Sequence, residues 1–281
     1  MTGCQVTDVR WDIAVIGGGD IGAAVTLLLA VRCHAQVTVV GDSAGAVARD
    51  GAATAAMLGC GARVRAAQDL SQAHGAAVVV VTTADGEELE AIAADLAPHA
   101  PDAIVLAACE PADVACAILV AETAFPRGRV LGAAAAARGA RLRAAIAQEA
   151  GVWAGDVALD VVGGPPPRAV PLLSRATIAG LPAADVLGQD ALMRLAADAT
   201  GQSSGGAQPA AAAVCDAVDA ILGDQHRVLT CAVACRGELG LQDQVTAVPV
   251  RVGRRGVEAF VEPAMTTRER EALVRAAIRM R

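Results

Sequence analysis

An apolar run at residues 13–16 meets three glycines spaced G-x-G-x-x-G (Gly17, Gly19 and Gly22), and an apolar stretch of helical character follows at residues 23–31. Few short patterns restrict a fold so strongly. Gly17 permits a tight turn out of a strand. Gly19 carries no Cβ, so a diphosphate can approach the backbone there. Gly22 lets the following helix lie close on the sheet. The unpaired N–H groups and positive dipole end of that helix face the same point. With Asp20 and Ile21 inside the turn, the stretch predicts a nucleotide cradle opening an α/β fold.

The chain downstream alternates in the way such a fold needs. Strands are predicted at residues 13–16, 36–40, 62–66, 76–82, 103–108 and 129–131. Between them, helices are predicted at 21–32, 47–58, 87–96 (ended by Pro98) and 112–122, and a crossover at 69–74. The near-continuous apolar run at 76–82 suits a strand buried on both faces. Strand and helix in alternation give a parallel, doubly wound Rossmann sheet with right-handed crossovers. After Gly132 the texture changes. A long Ala/Arg helix is expected at 133–150, a strand at 157–162, and a stiff turn at Gly163-Gly164-Pro165-Pro166-Pro167. A strand at 177–179, a helix at 191–200, a loop at 201–206 and a helix at 210–222 follow. An antiparallel pair at 228–235 and 245–251 and a closing helix at 267–280 complete an α+β second domain. The boundary falls at 1–132 and 133–281, with no linker between the halves.

Composition narrows the chemistry. Of 281 residues, 54% are hydrophobic and 1% aromatic, with no Tyr, so any pocket is built from small aliphatic side chains and backbone. All 23 basic residues are Arg, and Asn is absent as well as Lys. That excludes a Schiff-base lysine and an asparagine amide from any site. A net charge of −7 and no Arg cluster interleaved with aromatics argue against nucleic-acid binding. No apolar run reaches the ~18 residues of a membrane span. The polar start carries no targeting pattern, so a cytoplasmic protein is expected. The eight Cys form no C-x-x-C and the four His are scattered, so no metal site is expected and the thiols read as buried and reduced.

The order of motifs resembles the lactate/malate dehydrogenase family along nearly the whole chain. The stretches that carry this are 16–22, Ala100-Pro101-Asp102-Ala103-Ile104-Val105, Val170-Pro171-Leu172, Thr177-Ile178-Ala179-Gly180-Leu181-Pro182, Gly237-Glu238-Leu239-Gly240 and Gly256-Val257-Glu258. The resemblance implies NAD as cofactor, a 2-hydroxy acid as substrate, and a homo-oligomer, dimer or tetramer. In that family a histidine in a glycine-histidine-glycine-aspartate turn exchanges the substrate proton, an aspartate orients it, and arginines clamp the substrate carboxylate.

Carried onto this chain, those positions depart from the pattern. With the register pinned by Val170-Pro171-Leu172, Pro165 stands where the histidine is expected, and proline neither accepts nor donates a proton. The orienting aspartate falls on Arg138. Arg141, three residues on and on the same helix face, matches a carboxylate-binding arginine; its alternative reading is a solvated or interdomain Arg. The asparagine–proline motif reads Cys109-Glu110-Pro111, so Glu110 replaces the amide. Glu110, Arg138 and Arg141 suggest an ion-pair cluster filling the pocket. The family's mobile substrate loop is missing, because the strand ending at Thr82 runs directly into the helix at 87–96. On the cofactor side, Gly17, Gly19, Asp20, Ile21, Gly22 and Thr82 remain. The ribose-binding acid falls on Gly41, with Asp42 one position later. Asp42 reads either as a ribose ligand or as a turn and capping residue. NAD is favoured, and NADP stays open.

Two functional readings follow. In one, the chain has lost hydride-transfer chemistry on 2-hydroxy acids and keeps a nucleotide-binding or structural role. In the other, the altered pocket serves a different substrate or a residual NAD-dependent oxidoreduction, with Glu110 as acid or base, Arg138 and Arg141 binding an anion, and Cys109 as thiol. A raised Glu110 pKa and an open pocket would favour the second.

Overall fold

The computed structural model describes residues 11–32, 35–201 and 206–279. The polar start, Cys4, Cys33, His34 and most of the loop expected at 201–206 lie outside the described residues. The first half runs β1 (Trp11–Ile16), α1 (Asp20–Val31), β2 (Ala35–Val40), α2 (Ala44–Met57), β3 (Arg63–Ala67), β4 (Val78–Val81), α3 (Gly86–His99), β5 (Ile104–Ala107), α4 (Ala112–Glu122) and β6 (Val130–Leu131). Its strands form one parallel sheet in the order β3-β2-β1-β4-β5-β6. The winding reverses between β1 and β4, and a doubly wound sheet opens its crevice at the carboxyl ends of such strands. Ile16 is in register with Val40 and with Val81, so Gly17, Gly41 and Thr82 emerge side by side. The all-valine β4 is buried on both faces, as its unbroken apolar run requires.

Pro98 does not end its helix. It sits in the last turn of α3, where the Ala100 N–H still closes onto Leu96 O. At the other end, the Asp85 carboxylate accepts from Glu88 N at 3.0 Å and caps the helix.

The second half follows a 3-10 turn at Ala133–Ala135, so the helix expected from residue 133 becomes α-helical only as α5 (Ala136–Ala150). Then come β7 (Val157–Ala158), β8 (Val161–Gly163), β9 (Ala169–Pro171), β10 (Thr177–Ile178), β11 (Leu181–Pro182), α6 (Ala183–Leu187), α7 (Gln189–Gly201) and α8 (Ala207–Leu222). The chain ends with β12 (Arg227–Cys235), β13 (Gln244–Gly253), β14 (Gly256–Phe260), α9 (Thr267–Ala276) and β15 (Ile278–Arg279). The strand expected at 157–162 is broken in two: β7 pairs with β10, whereas β8 joins β9 and β13. The closing helix is shorter than expected. A Thr266/Glu269 capping box starts α9, the backbone turns extended at Ala277, and Ile278 pairs with Val245. The expected antiparallel pair is present as β12–β13, with β14 added on the opposite edge of β13.

The halves share a core. Val25 and Leu29 of α1 cluster with Val214 and Val218 of α8 and with Val248 and Val250 of β13, all fully buried. A bridge between Gly132 and Ala232 joins them directly; a Cβ on Gly132 would lie 2.7 Å from that of Ala232. Among the described residues no helix is long and apolar enough to cross a membrane.

Candidate functional site

The glycine turn occupies the crevice at the switch point. Gly17 has φ +98°, and a Cβ there would lie 2.3 Å from Thr82 Oγ1. Thr82 holds the turn from β4 by donating Oγ1 to Ile16 O at 2.8 Å. A Cβ on Gly22 would lie 2.0 Å from Gly17 O, so only glycine allows α1 to start this close to the strand end. Gly19 is different: a Cβ there meets nothing within 4 Å, because that side of the turn is open. The site thus has the bare backbone and the helix N-terminus that a diphosphate needs. Asp20, exposed in the first turn of α1, places a carboxylate at the same spot and stabilises the helix start.

Two clefts meet at this turn. One, of about 220 Å³, lies between the ends of β1 and β2 and the face of α3, and includes Gly17, Gly41 and Ile92. The other, of about 430 Å³, is bounded by Gly19, Asp20, Ile21, Thr82, Glu110 and Ala210. Among the described residues no histidine lines either. Gly41, at φ +120°, leaves open space where a side chain would stand, and Asp42 is exposed in the turn before α2, outside the lining of both clefts.

Beneath the second cleft, two of the three groups expected to cluster, Glu110 and Arg138, form an ion pair. Arg138 of α5 is buried; its Nη1 lies 3.3 Å from Glu110 Oε1 and its Nη2 donates to Gly163 O at 3.0 Å. Its buried Nε has no hydrogen-bond partner among the described residues. Burial pushes the Glu110 carboxyl up, against the pull of Arg138 and Arg141, and burial likewise pushes Arg138 down, against Glu110 and Asp113. Arg141, half-buried one turn along α5, therefore acts electrostatically on Glu110. A second pair backs the first. Asp113, 2% exposed, has Oδ2 2.7 Å from Arg168 Nη1, and that nitrogen donates to Ala276 O at 2.8 Å. Both acids stand at the β5–α4 junction and both arginines in the second half, so the pairs tie the two halves across the cleft floor.

Pro165 lies half-buried in the β8–β9 turn. The turn is closed by Arg168 N donating to Pro165 O at 2.8 Å, and a Cβ on Gly164 would lie 2.5 Å from Arg168 Cζ. Only residues 82–85 connect β4 to α3. Cys109 is 2% exposed and burial pushes its thiol up to about 12, which argues against a thiolate nucleophile.

Comparison with known proteins places this geometry. The model of the lactate/malate dehydrogenase α/β C-terminal domain matches residues 139–280. The chain is 30% identical to the malate dehydrogenase of a Nitratiruptor species, covering 94% of this chain and 92% of that one. It is 31% identical to that of Sorangium cellulosum, with 95% of each covered. The chain belongs to the lactate/malate dehydrogenase family. Among solved structures, malate dehydrogenase from Salinibacter ruber superposes with a TM-score of 0.87 at 26% identity, covering 94% of this chain and 93% of that one. Lactate dehydrogenase from Cryptosporidium parvum, complexed with lactic acid and nicotinamide adenine dinucleotide, gives 0.88 at 25%, with 95% of each covered.

Three groups went unnoticed in the sequence. Asp113 and Arg168 complete the ion-pair floor; Arg168 directly follows the proline run, the one local hint of it. Asp69, Glu88 and Asp95 line the smaller cleft, with Glu88 and Asp95 seven residues apart on α3. His226, one of the four scattered histidines, meets Glu258 (Nδ1 to Oε2, 2.8 Å) and Asp224, their ligand atoms within 4.8 Å of one another. Arg251 and Arg255 also approach Glu258, each at 3.7 Å. Those guanidiniums already supply the positive charge a cation would bring, so this cluster is an ion-pair hub.

Proposed function

We propose that this member of the lactate/malate dehydrogenase family holds an adenine dinucleotide on the Gly17–Gly22 turn and does not transfer hydride to or from 2-hydroxy acids. The observation that carries this is the second cleft. Its open, Cβ-free side at Gly19 supports nucleotide binding. The groups beneath it are committed to one another, Glu110 to Arg138 and Asp113 to Arg168, while Pro165 offers no proton carrier. Nicotinamide cofactor bound there would bring a hydride donor or acceptor. The chain's own residues would orient the diphosphate but offer a 2-oxo acid neither an imidazole nor a closing loop.

A second reading is favoured by one observation. Glu110 lines the open 430 Å³ cleft, and its carboxyl is raised by burial. A carboxyl so tuned suits proton transfer to a ligand other than a 2-hydroxy acid.

Crystals grown with NAD+ test the first reading. Density across the glycine turn, with Arg138 still on Glu110, supports it. An empty turn, or a rearranged Arg138 facing a bound 2-hydroxy acid, overturns it.

A further inference from the structure

The smaller cleft carries three carboxylates. Gly17 lines it, so a dinucleotide seated on the glycine turn sends its adenosine end here. Ile92, 8% exposed, and Leu70, 4% exposed, make an apolar floor for a base. Around that floor stand the carboxylates of Asp69, Glu88 and Asp95, and among the described residues no basic side chain lines the cleft. Asp69 is fixed by Ser71, whose N–H and Oγ both bond its Oδ1. Glu88 and Asp95 lie two turns apart on one face of α3, flanking Ile92. Among the described residues neither carboxylate has an ion-pair partner. Meanwhile the end of β2 contributes only Gly41, whose missing side chain leaves the space between strand and helix open.

We propose that Glu88 and Asp95 of α3, with Asp69, select the nucleotide by its adenosine ribose: they accept from a free 2′,3′-diol and repel a 2′-phosphate. Selection has passed from the end of β2 to the facing helix, which Gly41 leaves exposed to the ribose. The inference rests on the nucleotide reading above, since the glycine turn makes the site and the carboxylates only decide what it takes. The physics is Coulombic. A 2′-phosphate brings about two negative charges into a cleft holding three, with no counter-charge among its described lining residues, and like charges brought close together repel, most at low salt because the three carboxylates are exposed. A diol instead offers two O–H donors to the Glu88 and Asp95 carboxylates, which have no ion-pair partner among the described residues.

The test is calorimetric titration of the full chain with NAD+ and NADP+, repeated on the variant carrying both Glu88→Gln and Asp95→Asn. Both positions are exposed, so the variant keeps its core. The parent is expected to bind NADP+ at least about 30-fold more weakly than NAD+. In the variant, NADP+ affinity is expected to rise about tenfold while NAD+ affinity falls two- to five-fold, as an order-of-magnitude estimate. In the parent, raising salt from low to high ionic strength is also expected to narrow the NAD+/NADP+ ratio, an arm that needs no variant. Equal affinities in the parent, or a ratio unchanged by both substitutions and salt, overturn the inference while leaving nucleotide binding intact. Failure of the parent to bind either nucleotide overturns both.

Discussion

Arg138 lies across the floor of the larger cleft from Glu110, Nη1 to Oε1 at 3.3 Å, with each charge almost withdrawn from water. Such a pair contributes little net stability but is costly to break on one side only, because the surviving charge stays buried. Arg138→Met or Glu110→Gln alone is expected to destabilise by about 3 kcal/mol. The double variant is expected to cost clearly less than the sum, with a coupling of at least about 1 kcal/mol. Urea unfolding of all four proteins checks this; additive losses would show that the two residues act separately.

The glycine turn yields a paired prediction. Gly22→Ala drives a Cβ into Gly17 O and is expected to cost about 2 kcal/mol or more of stability as well as nucleotide binding. Gly19→Ala meets open space at φ −69° and is expected to unfold within about 1 kcal/mol of the parent, yet to lose at least about tenfold in nucleotide affinity. Thermal denaturation and titration together separate the two outcomes.

Asp20 sets a carboxylate at the α1 N-terminus, where the phosphates of the proposed dinucleotide would lie. Asp20→Asn is expected to tighten nucleotide binding about three-fold, the scale of one charge at a helix terminus. An unchanged or weaker affinity would place the diphosphate elsewhere.

Acid sensitivity follows from Glu238. Its hydrogen bond to Arg127 (2.6 Å) lowers its carboxyl from 4.5 to about 2, and Arg127 also lies 5.5 Å over the Phe260 ring. A carboxyl depressed in the folded state stabilises above its unfolded value and loses that contribution as pH falls through its folded one. Stability from this pair is therefore full above pH 4.5 and lost progressively toward pH 2. The Glu238→Gln variant is expected to be less stable than the parent by about 1 kcal/mol near neutrality, after solvent screening, and to converge with it in acid. Denaturant melts at several pH values read the gap directly.

The parts of this molecule visible in the sequence are those where a local pattern imposes a backbone. Gly17 and Gly22 each answer a steric demand within one turn, Gly19 leaves its side of that turn bare, and the valines of β4 announce a strand buried on both faces. Glu110 and Arg138 were foreseen as partners because the family register placed them in one pocket. Arg168 and Asp113 were not, since a contact between residues 55 positions apart leaves no local trace. The split of residues 157–162 into β7 and β8 was hidden for a related reason: strand character does not say which sheet a strand will join. Glu88 and Asp95 belong to no motif, and only the fold brings their face of α3 to the cleft that Gly17 lines.

The central claim joins nucleotide binding to the absence of dehydrogenase chemistry, so one preparation is best measured for both. NAD+ is titrated calorimetrically, and the same protein is assayed for NADH-linked reduction of oxaloacetate and pyruvate. Saturable binding with no turnover above the uncatalysed background is expected. Turnover in the ordinary enzyme range of about 1–10³ s⁻¹ would contradict it.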